Sequence, residues 1–344
     1  MHICHLILTH SFAGSERYAI ELANAQSEAH QVSVILHQRG CEQRPNALAY
    51  RLSDNVTVFP VRGPKWWASM QARRLVRQLR PDVAHAHLSA ACKALKNVDG
   101  PSRVASLHIH YKPNQHAHMD GLIAIAPWQL EAIPKALRRR SVQLDNWTCA
   151  QAQTGQAREQ QREAWGIAEG EFIFGTLGRV EPSKGHDILL KAFARLDAPQ
   201  AKLVIVGDGS ALPRLRRDLP SNLVNRVIFA GYQAQPERCL AAFDGFVSAA
   251  RTEPFGLVFL EAMVAGLPLA ATASQGACYL QPYFQYPLAP VDDEARLADA
   301  MQAMFDHGPQ HLVHELSRFD YAQQTQRVTQ YYQDLAQGYH GGES

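Results

Sequence analysis

Apolar residues fall along the chain in short, nearly unbroken runs that alternate with longer stretches of helical spacing. Runs read as strands at His2–Leu8, Val32–Leu36, Val56–Val61, Val83–His87, Val104–His108, Leu122–Ala126 and Val142–Leu144, with helical patterns such as Glu16–Ala29 and Ala68–Leu79 between them. The order starts again after Glu171, with runs at Phe172–Leu177, Lys202–Val206, Val227–Ala230, Gly245–Ala249 and Leu269–Ala271. A strand that is apolar on both faces must be covered on both, the condition of a parallel sheet with helices above and below. Two such series predict an α/β chain with two doubly wound, Rossmann-like sheets. The stretch QAQTGQAREQQREAWG is poor in apolar residues and predicts a linker around Cys149–Gly166. The domains expected are therefore 1–165 and 166–318, with a last helical run, Phe319–Leu335, in a terminal segment 319–344.

Candidate chemistry gathers after the strands of the second half. In RTEPFGLVFLEAMVAG, Glu253 and Glu261 stand eight positions apart with Pro254 and Gly256 between them. Pro254 suits the opening of a helix, Gly256 leaves backbone open to close approach, and LVFLEAMVA continues as an apolar helix. The unpaired N–H groups of a first helical turn suit a phosphate. Glu261 follows roughly 7 Å further along the axis, about the step from a diphosphate to its ribose. Glu253, ahead of the helix, reaches the opposite side of the phosphates. Upstream, GTLGRVEPSKG sets Arg179 and Lys184 five apart, two cations able to neutralise a diphosphate. LVIVGDGS ends in Gly207 and Gly209 at a carboxyl end, where such sheets bind ligands. A buried helix with incidental acids and a pair of solvated cations is the plainer reading of each feature alone. Their order along one half of the chain favours a shared site.

The segments GTLGRVEPSKG, LVIVGDGS, VIFAGY and EPFGLVFLEAMVAGLPLAAT, with the looser THSFAGSERYAIELA, PDVAHAH, VASLHIH and LDNWT, resemble the signatures of family 4 glycosyltransferases. The resemblance is strong from Phe172 to Thr272 and moderate before that. It implies a retaining enzyme of GT-B fold whose first domain takes the acceptor and whose second takes a nucleotide sugar, with a final helix crossing back onto the first domain. It implies that Glu261 holds the ribose, Glu253 the sugar hydroxyls, and Arg179 and Lys184 the diphosphate, helped by backbone N–H groups near Gly256 and Leu257. In the first half it matches Gly14 with a glycine turn near the phosphates or acceptor, and His108 with a histidine that meets a sugar hydroxyl. Asn146 matches an asparagine after the last strand. Plainer readings stand beside these: a structural histidine at a strand end, and a turn asparagine that bonds its own backbone. His110 is a weaker substitute for His108, and His85 and His87 read as ordinary strand-end residues. The chain departs from the family at Ala13, where a first glycine is usual. It departs again after Thr272, where ATASQGACYLQPYFQYPLAP is aromatic rather than glycine-rich and acidic.

Charge divides unevenly. Residues 1–165 carry 20 Lys+Arg against 12 Asp+Glu, and residues 166–344 carry 14 against 20. A basic acceptor half predicts an anionic acceptor or an anionic membrane surface. In PKWWASMQARRLVRQLR, Trp66 and Trp67 precede aliphatics interleaved with Arg73, Arg74, Arg77 and Arg80, the composition of an interfacial helix. An ordinary sheet-covering helix with solvated arginines is the plainer reading of its body. No apolar run is long enough to predict a membrane span, and MHICHLILTH reads as a strand rather than a leader. The six scattered cysteines read as reduced thiols. The expectation is a cytoplasmic protein, peripheral at the inner face of the membrane.

Neither HExxH nor DxD occurs, so no metal and no cofactor are expected. The donor expected is a nucleotide sugar, UDP-hexose favoured, and the acceptor is a lipopolysaccharide core or lipid-linked oligosaccharide rather than a nucleic acid. A sugar-nucleotide epimerase or phosphorylase on the same fold, or a non-catalytic nucleotide- or glycan-binding protein, is the alternative. A dinucleotide oxidoreductase is disfavoured, because SFAGSE lacks GxGxxG and VSVILHQ ends without an acid.

Overall fold

A computed structural model describes residues 1–10, 12–44, 47–150, 155–233 and 235–338. The chain divides into two compact units, one made by Met1–Trp147 with the chain from Phe319 onward, the other by Thr148–Arg318.

In the first unit, strands β1 (His2–Ile7), β2 (Gln31–His37), β3 (Val56–Val61), β4 (Val83–His87), β5 (Ser102–Leu107), β6 (Gly121–Ala124) and β7 (Val142–Gln143) form one sheet. Its order is β3-β2-β1-β4-β5-β6-β7, parallel throughout, and the winding reverses between β1 and β4. One face packs Ile3, Ile7, Val34 and Val83 against Tyr18 and Leu22 of the helix Gly14–Gln26 and against Val328 and Tyr332 of the C-terminal helix Tyr321–Ala336. The other packs Leu6, Ala84 and Ala86 on Ala68, Ala72 and Val76, a stripe spaced by four on the helix Lys65–Leu79. Asp320 caps the C-terminal helix by accepting from the Gln323 N–H at 2.8 Å.

In the second unit, β8 (Phe172–Leu177), β9 (Ala201–Val206), β10 (Val227–Gly231), β11 (Gly245–Ser248) and β12 (Leu269–Ala271) lie parallel in the order β10-β9-β8-β11-β12. Here the reversal falls between β8 and β11. Phe174, Leu203, Ile205 and Val247 pack on Phe193 of the helix His186–Ala194 and Met301 of the helix Glu294–His307. Both sheets are doubly wound and Rossmann-like, the class the sequence predicts.

Several local expectations are corrected. The segment expected as a linker holds a helix, Gly155–Ala164, which belongs to the second unit; residues 151–154 of that segment lie outside the described residues. None of its residues is buried, so it shows no apolar stripe. It is held instead by Arg158 and Arg162, which both pair with the buried Asp244, Arg162 at 3.1 Å. The Trp66–Trp67 pair does not precede a helix but lies in its first turn, since that helix starts at Lys65. His108 stands just past β5 rather than in it, and β6 stops at Ala124, where the Gln129 side chain takes the Ile125 N–H at 2.8 Å.

Candidate active site

Where a doubly wound sheet reverses its strand order, the loops leaving the two central strands diverge and open a crevice. In the second unit these loops follow β8 and β11 and carry Arg179–Lys184 and Arg251–Gly256. They are tied together by backbone: the Arg251 and Thr252 N–H groups donate to the Ser183 carbonyl at 2.9 and 3.2 Å. The Arg251 guanidinium adds a clamp, donating to both Asp187 oxygens at 2.9 and 2.8 Å, to Asp292 at 2.6 Å and to the Pro182 carbonyl at 2.6 Å. That guanidinium holds the Asp187 carboxyl below the usual carboxylate range. The clamp brings Lys184 Nζ to 2.5 Å from Glu253 Oε2, with 23% and 13% of the two side chains exposed. Arg179 is exposed; its carbonyl accepts from the Glu181 N–H at 3.0 Å, and its guanidinium makes no hydrogen bond or ion pair among the described residues.

Two glycines shape the loops at this edge. Gly207, after β9, has φ +135°, and a Cβ there would fall 1.9 Å from the Gly178 carbonyl oxygen. Gly256 has φ +91° and precedes the helix Leu257–Val264. That helix opens at Leu257, three residues beyond the Pro254 start expected from sequence. The positive φ at Gly256 turns the chain so that helical geometry begins only after it. No acceptor among the described residues takes the Leu257 or Val258 N–H, the ordinary state of a first helical turn. Glu261 lies one turn on and half-buried, on the same face as Leu257.

Two polar groups beside this set were missed from sequence. His186, next to Lys184 and Gly185, is buried with Nδ1 unpartnered, and burial reinforced by the Lys184 charge lowers its imidazole to about 4. Ser274 is buried with Oγ unpartnered, and Gly276, two residues on, donates its N–H to the Glu253 carbonyl at 2.7 Å. A polar residue beside a glycine turn in GHDILL and a serine closing the AATAS run were the available signals. The aromatic stretch after Thr272 packs inward: Tyr286 is buried in the core, Phe284 stands edge-on to Phe259 at 5.1 Å, and Tyr279 lies 6.0 Å from Phe255.

In the first unit, Gly14 is the exposed first residue of its helix, after an extended Ala13. Glu16 is buried there, accepting from Thr9 at 2.5 Å and Ser15 at 2.8 Å. Asn146 is buried with Oδ1 unpartnered, so that oxygen does not bond its own backbone. His108 is half-buried, with Nε2 at 3.2 Å from His87 Nδ1 and its ring edge-on to Tyr18 at 5.1 Å. Burial lowers it to about 4. His110 is exposed. His85 and His87 are not isolated strand-end residues: both are buried, His87 hydrogen-bonds His5 at 3.1 Å, and His85 bonds Ser106 and Tyr332 with its ring against those of His5 and His87.

Two doubly wound, Rossmann-like sheets, the second with cations and carboxylates at its reversal point, are the make-up of a GT-B fold. The solved structure of Anabaena HepE in complex with UDP and glucose superposes with a TM-score of 0.74 at 20% identity, covering 97% of this chain and 100% of that one. WaaG, a glycosyltransferase involved in lipopolysaccharide biosynthesis, superposes at 0.69 with 16% identity over 99% and 100%. In sequence the chain is 28% identical over 273 residues to the lipopolysaccharide core biosynthesis glycosyltransferase LpsE of Rhizobium meliloti, 76% of each. Residues 12–172 match Glycosyltransferase Family 4 and residues 157–316 match Glycosyl transferases group 1. The chain belongs to the family 4 glycosyltransferases.

Proposed function

We propose that this glycosyltransferase is a retaining, metal-independent hexosyltransferase whose donor is a nucleoside-diphosphate hexose, UDP favoured. The Lys184–Glu253 ion pair carries the reading. A cation and an anion in contact at the reversal point, with Arg179 unpaired nearby, complement a ligand that joins an anionic diphosphate to a polyhydroxylated ring. On binding, the diphosphate takes the place of the Glu253 carboxylate at Lys184, and Glu253 turns to the sugar hydroxyls. Arg179, Lys184 and the N–H groups of Leu257 and Val258 then face the phosphates, and Glu261 the ribose. Charge grows on the departing phosphate as the glycosidic bond breaks, so cations fixed there hold the transition state more tightly than the ground state. Those two cations do the neutralising that a metal would otherwise do. A phosphate oxygen that takes the acceptor's proton on the same face of the sugar gives retention without a protein nucleophile.

Gly14, His108 and Asn146 serve the acceptor or the sugar from the first unit, Asn146 through its unpartnered Oδ1. The basic balance of residues 1–165 and the likeness to a lipopolysaccharide core enzyme support an anionic surface glycan, such as a lipopolysaccharide core or a lipid-linked oligosaccharide, as acceptor. The UDP bound in the HepE structure supports UDP as the donor base. Trp66, Trp67 and Met70, at 65%, 45% and 52% exposed, form an apolar edge suited to the inner face of the cytoplasmic membrane. Two of the four arginines in and just after the helix Lys65–Leu79, Arg73 and Arg77, are engaged elsewhere. Arg73 donates to the Ala94 and Lys93 carbonyls at 3.0 Å each, and Arg77 to Asn97 at 2.7 Å, satisfying the end of the helix Leu88–Ala94. The exposed Arg62, Lys65 and Arg74 near the tryptophans, and Arg80 at the helix's far end, remain for anionic lipid.

Calorimetry with UDP, GDP and ADP in the absence of metal tests the donor assignment. One nucleoside diphosphate should bind best, and Glu261→Gln should weaken it. Binding of none, or equal binding by the variant, would refute it.

A further inference from the structure

One face of the first sheet buries imidazoles among its aliphatic residues. His5 on β1 and His85 and His87 on β4 are at most 1% exposed, and His108 follows β5. In a neutral imidazole one nitrogen donates and the other accepts, so a single fixed neighbour sets the direction of a whole chain. That neighbour is present. Thr329 Oγ1 donates to the Thr325 carbonyl at 3.1 Å and therefore accepts from the Gln26 amide nitrogen at 3.0 Å. Gln26 Oε1 is thereby turned to His5 Nε2, 2.8 Å away, which must donate to it. His5 Nδ1 then accepts from His87 Nε2 at 3.1 Å, and His87 Nδ1 accepts from His108 Nε2 at 3.2 Å. The chain ends at His108 Nδ1, a bare acceptor with no partner among the described residues, on a residue that, unlike the other three, is not fully buried. Burial lowers His5 and His108 to about 4 and His87 well below its ordinary value. Near neutral pH, tautomer rather than charge decides what His108 offers.

We propose that Gln26, His5 and His87 are positioning residues that hold His108 as its Nε2–H tautomer, so that its Nδ1 accepts a hydrogen bond from a hydroxyl of the sugar substrate. This rests on the reading of His108 as a sugar-facing residue. A histidine free to choose its tautomer would present an N–H to that hydroxyl for part of the time. The wired histidine always presents an acceptor. Nitrogens of His5, His85 and His87 lie within 4.8 Å of one another, a spacing a metal could use. All six are already engaged, those of His85 by Tyr332 at 2.6 Å and Ser106 at 2.9 Å, and a metal would have to displace these partners.

Nitrogen-15 histidine spectra of the full chain, with His108 assigned through His108→Gln, read the tautomer directly. Wild type should show His108 protonated at Nε2. Gln26→Leu, which leaves no acceptor for His5, should move the proton to Nδ1. Thr329→Val, which only frees the Gln26 amide to flip, should move it partway and covers the case in which Gln26→Leu fails to fold. Turnover of the sugar nucleotide should fall about tenfold with the tautomer, the worth of one hydrogen bond, while nucleoside-diphosphate affinity stays unchanged. His108 protonated at Nδ1 in wild type, no response to either variant, or stoichiometric zinc binding abolished by His85→Asn would overturn the chain. A tautomer that switches with no change in turnover would leave the chain standing and overturn its link to the sugar, and with it the reading of His108.

Discussion

At the carboxyl edge of the second sheet, Lys184, Glu253 and Arg179 stand partly in solvent, and the groups joined there are charged. At the edge of the first sheet the polar groups are neutral imidazoles that run back into the core, each hydrogen-bonded to the next. The difference is one of exchange against direction. A phosphate brings Lys184 the same sign of charge that the Glu253 carboxylate does, so it can replace that partner at small cost. A buried neutral chain loses a full hydrogen bond wherever it is broken, so it keeps its orientation. The first arrangement suits a ligand whose charge changes during the reaction, and the second suits one recognised by the sense of a single hydroxyl.

Changing charge at the second edge should have the largest effect. Lys184→Ala should lower turnover about 10²–10³-fold, the usual loss on removing one preorganised group from a developing negative charge. A steady-state fall below threefold would show that the pair only ties two loops together. Acid should separate the edges next. His5 is lowered from 6.5 to about 4, so between those values the unfolded chain binds a proton that the folded chain does not. The contribution of His5 to stability is therefore complete above about pH 6.5 and is lost progressively as pH falls towards 4. His108, lowered by burial in the same direction, contributes with the same sign. Scanning calorimetry from pH 7 to 4.5 should show the first unit melting earlier as pH drops, and a flat Tm would contradict the neutral network.

Glu261→Gln should weaken nucleotide binding about tenfold, as expected for loss of one charged hydrogen bond, with Asn146→Ala leaving it unchanged. Calorimetric titration of both variants gives the answer, and equal losses would erase the division between the edges. The smallest effects belong to the helix Lys65–Leu79. Trp66→Ser with Trp67→Ser should reduce binding to anionic vesicles a few-fold at unchanged Tm. Arg73→Gln with Arg77→Gln should do the reverse, costing about 1 kcal/mol of stability for the lost carbonyl bonds with vesicle binding intact.

The strands were legible because a run buried on both faces has no polar alternation to hide it. β8 and β12 end where the runs end. The second edge was legible because charged residues and glycines in loops stand out against such runs. What stayed hidden was held by long-range pairing. The helix Gly155–Ala164 has no apolar stripe because its anchor is Asp244, 82 residues from Arg162. The Arg251 clamp reaches Asp187 across 64 residues, and neither residue announces the other. The imidazole chain depends on register, His5 opposite His85 and Ile7 opposite His87, which periodicity does not supply. Its trace in the sequence is histidine at alternate positions of PDVAHAH, where a buried strand would ordinarily place aliphatics.

The C-terminal helix also sets an order of manufacture. Thr329, which orients Gln26, and Tyr332, which bonds His85, lie 303 and 247 residues downstream of their partners. A ribosome therefore delivers all of Thr148–Arg318 before the first sheet receives its last covering helix, and domains fold as units as they emerge. The nascent first sheet waits with one apolar face covered only by the helix Gly14–Gln26 while the later-made unit closes ahead of it. A chain released before Tyr321 would carry a finished second unit and a first unit whose histidines have no fixed direction, a half-built product recognisable to quality control by that partly covered face.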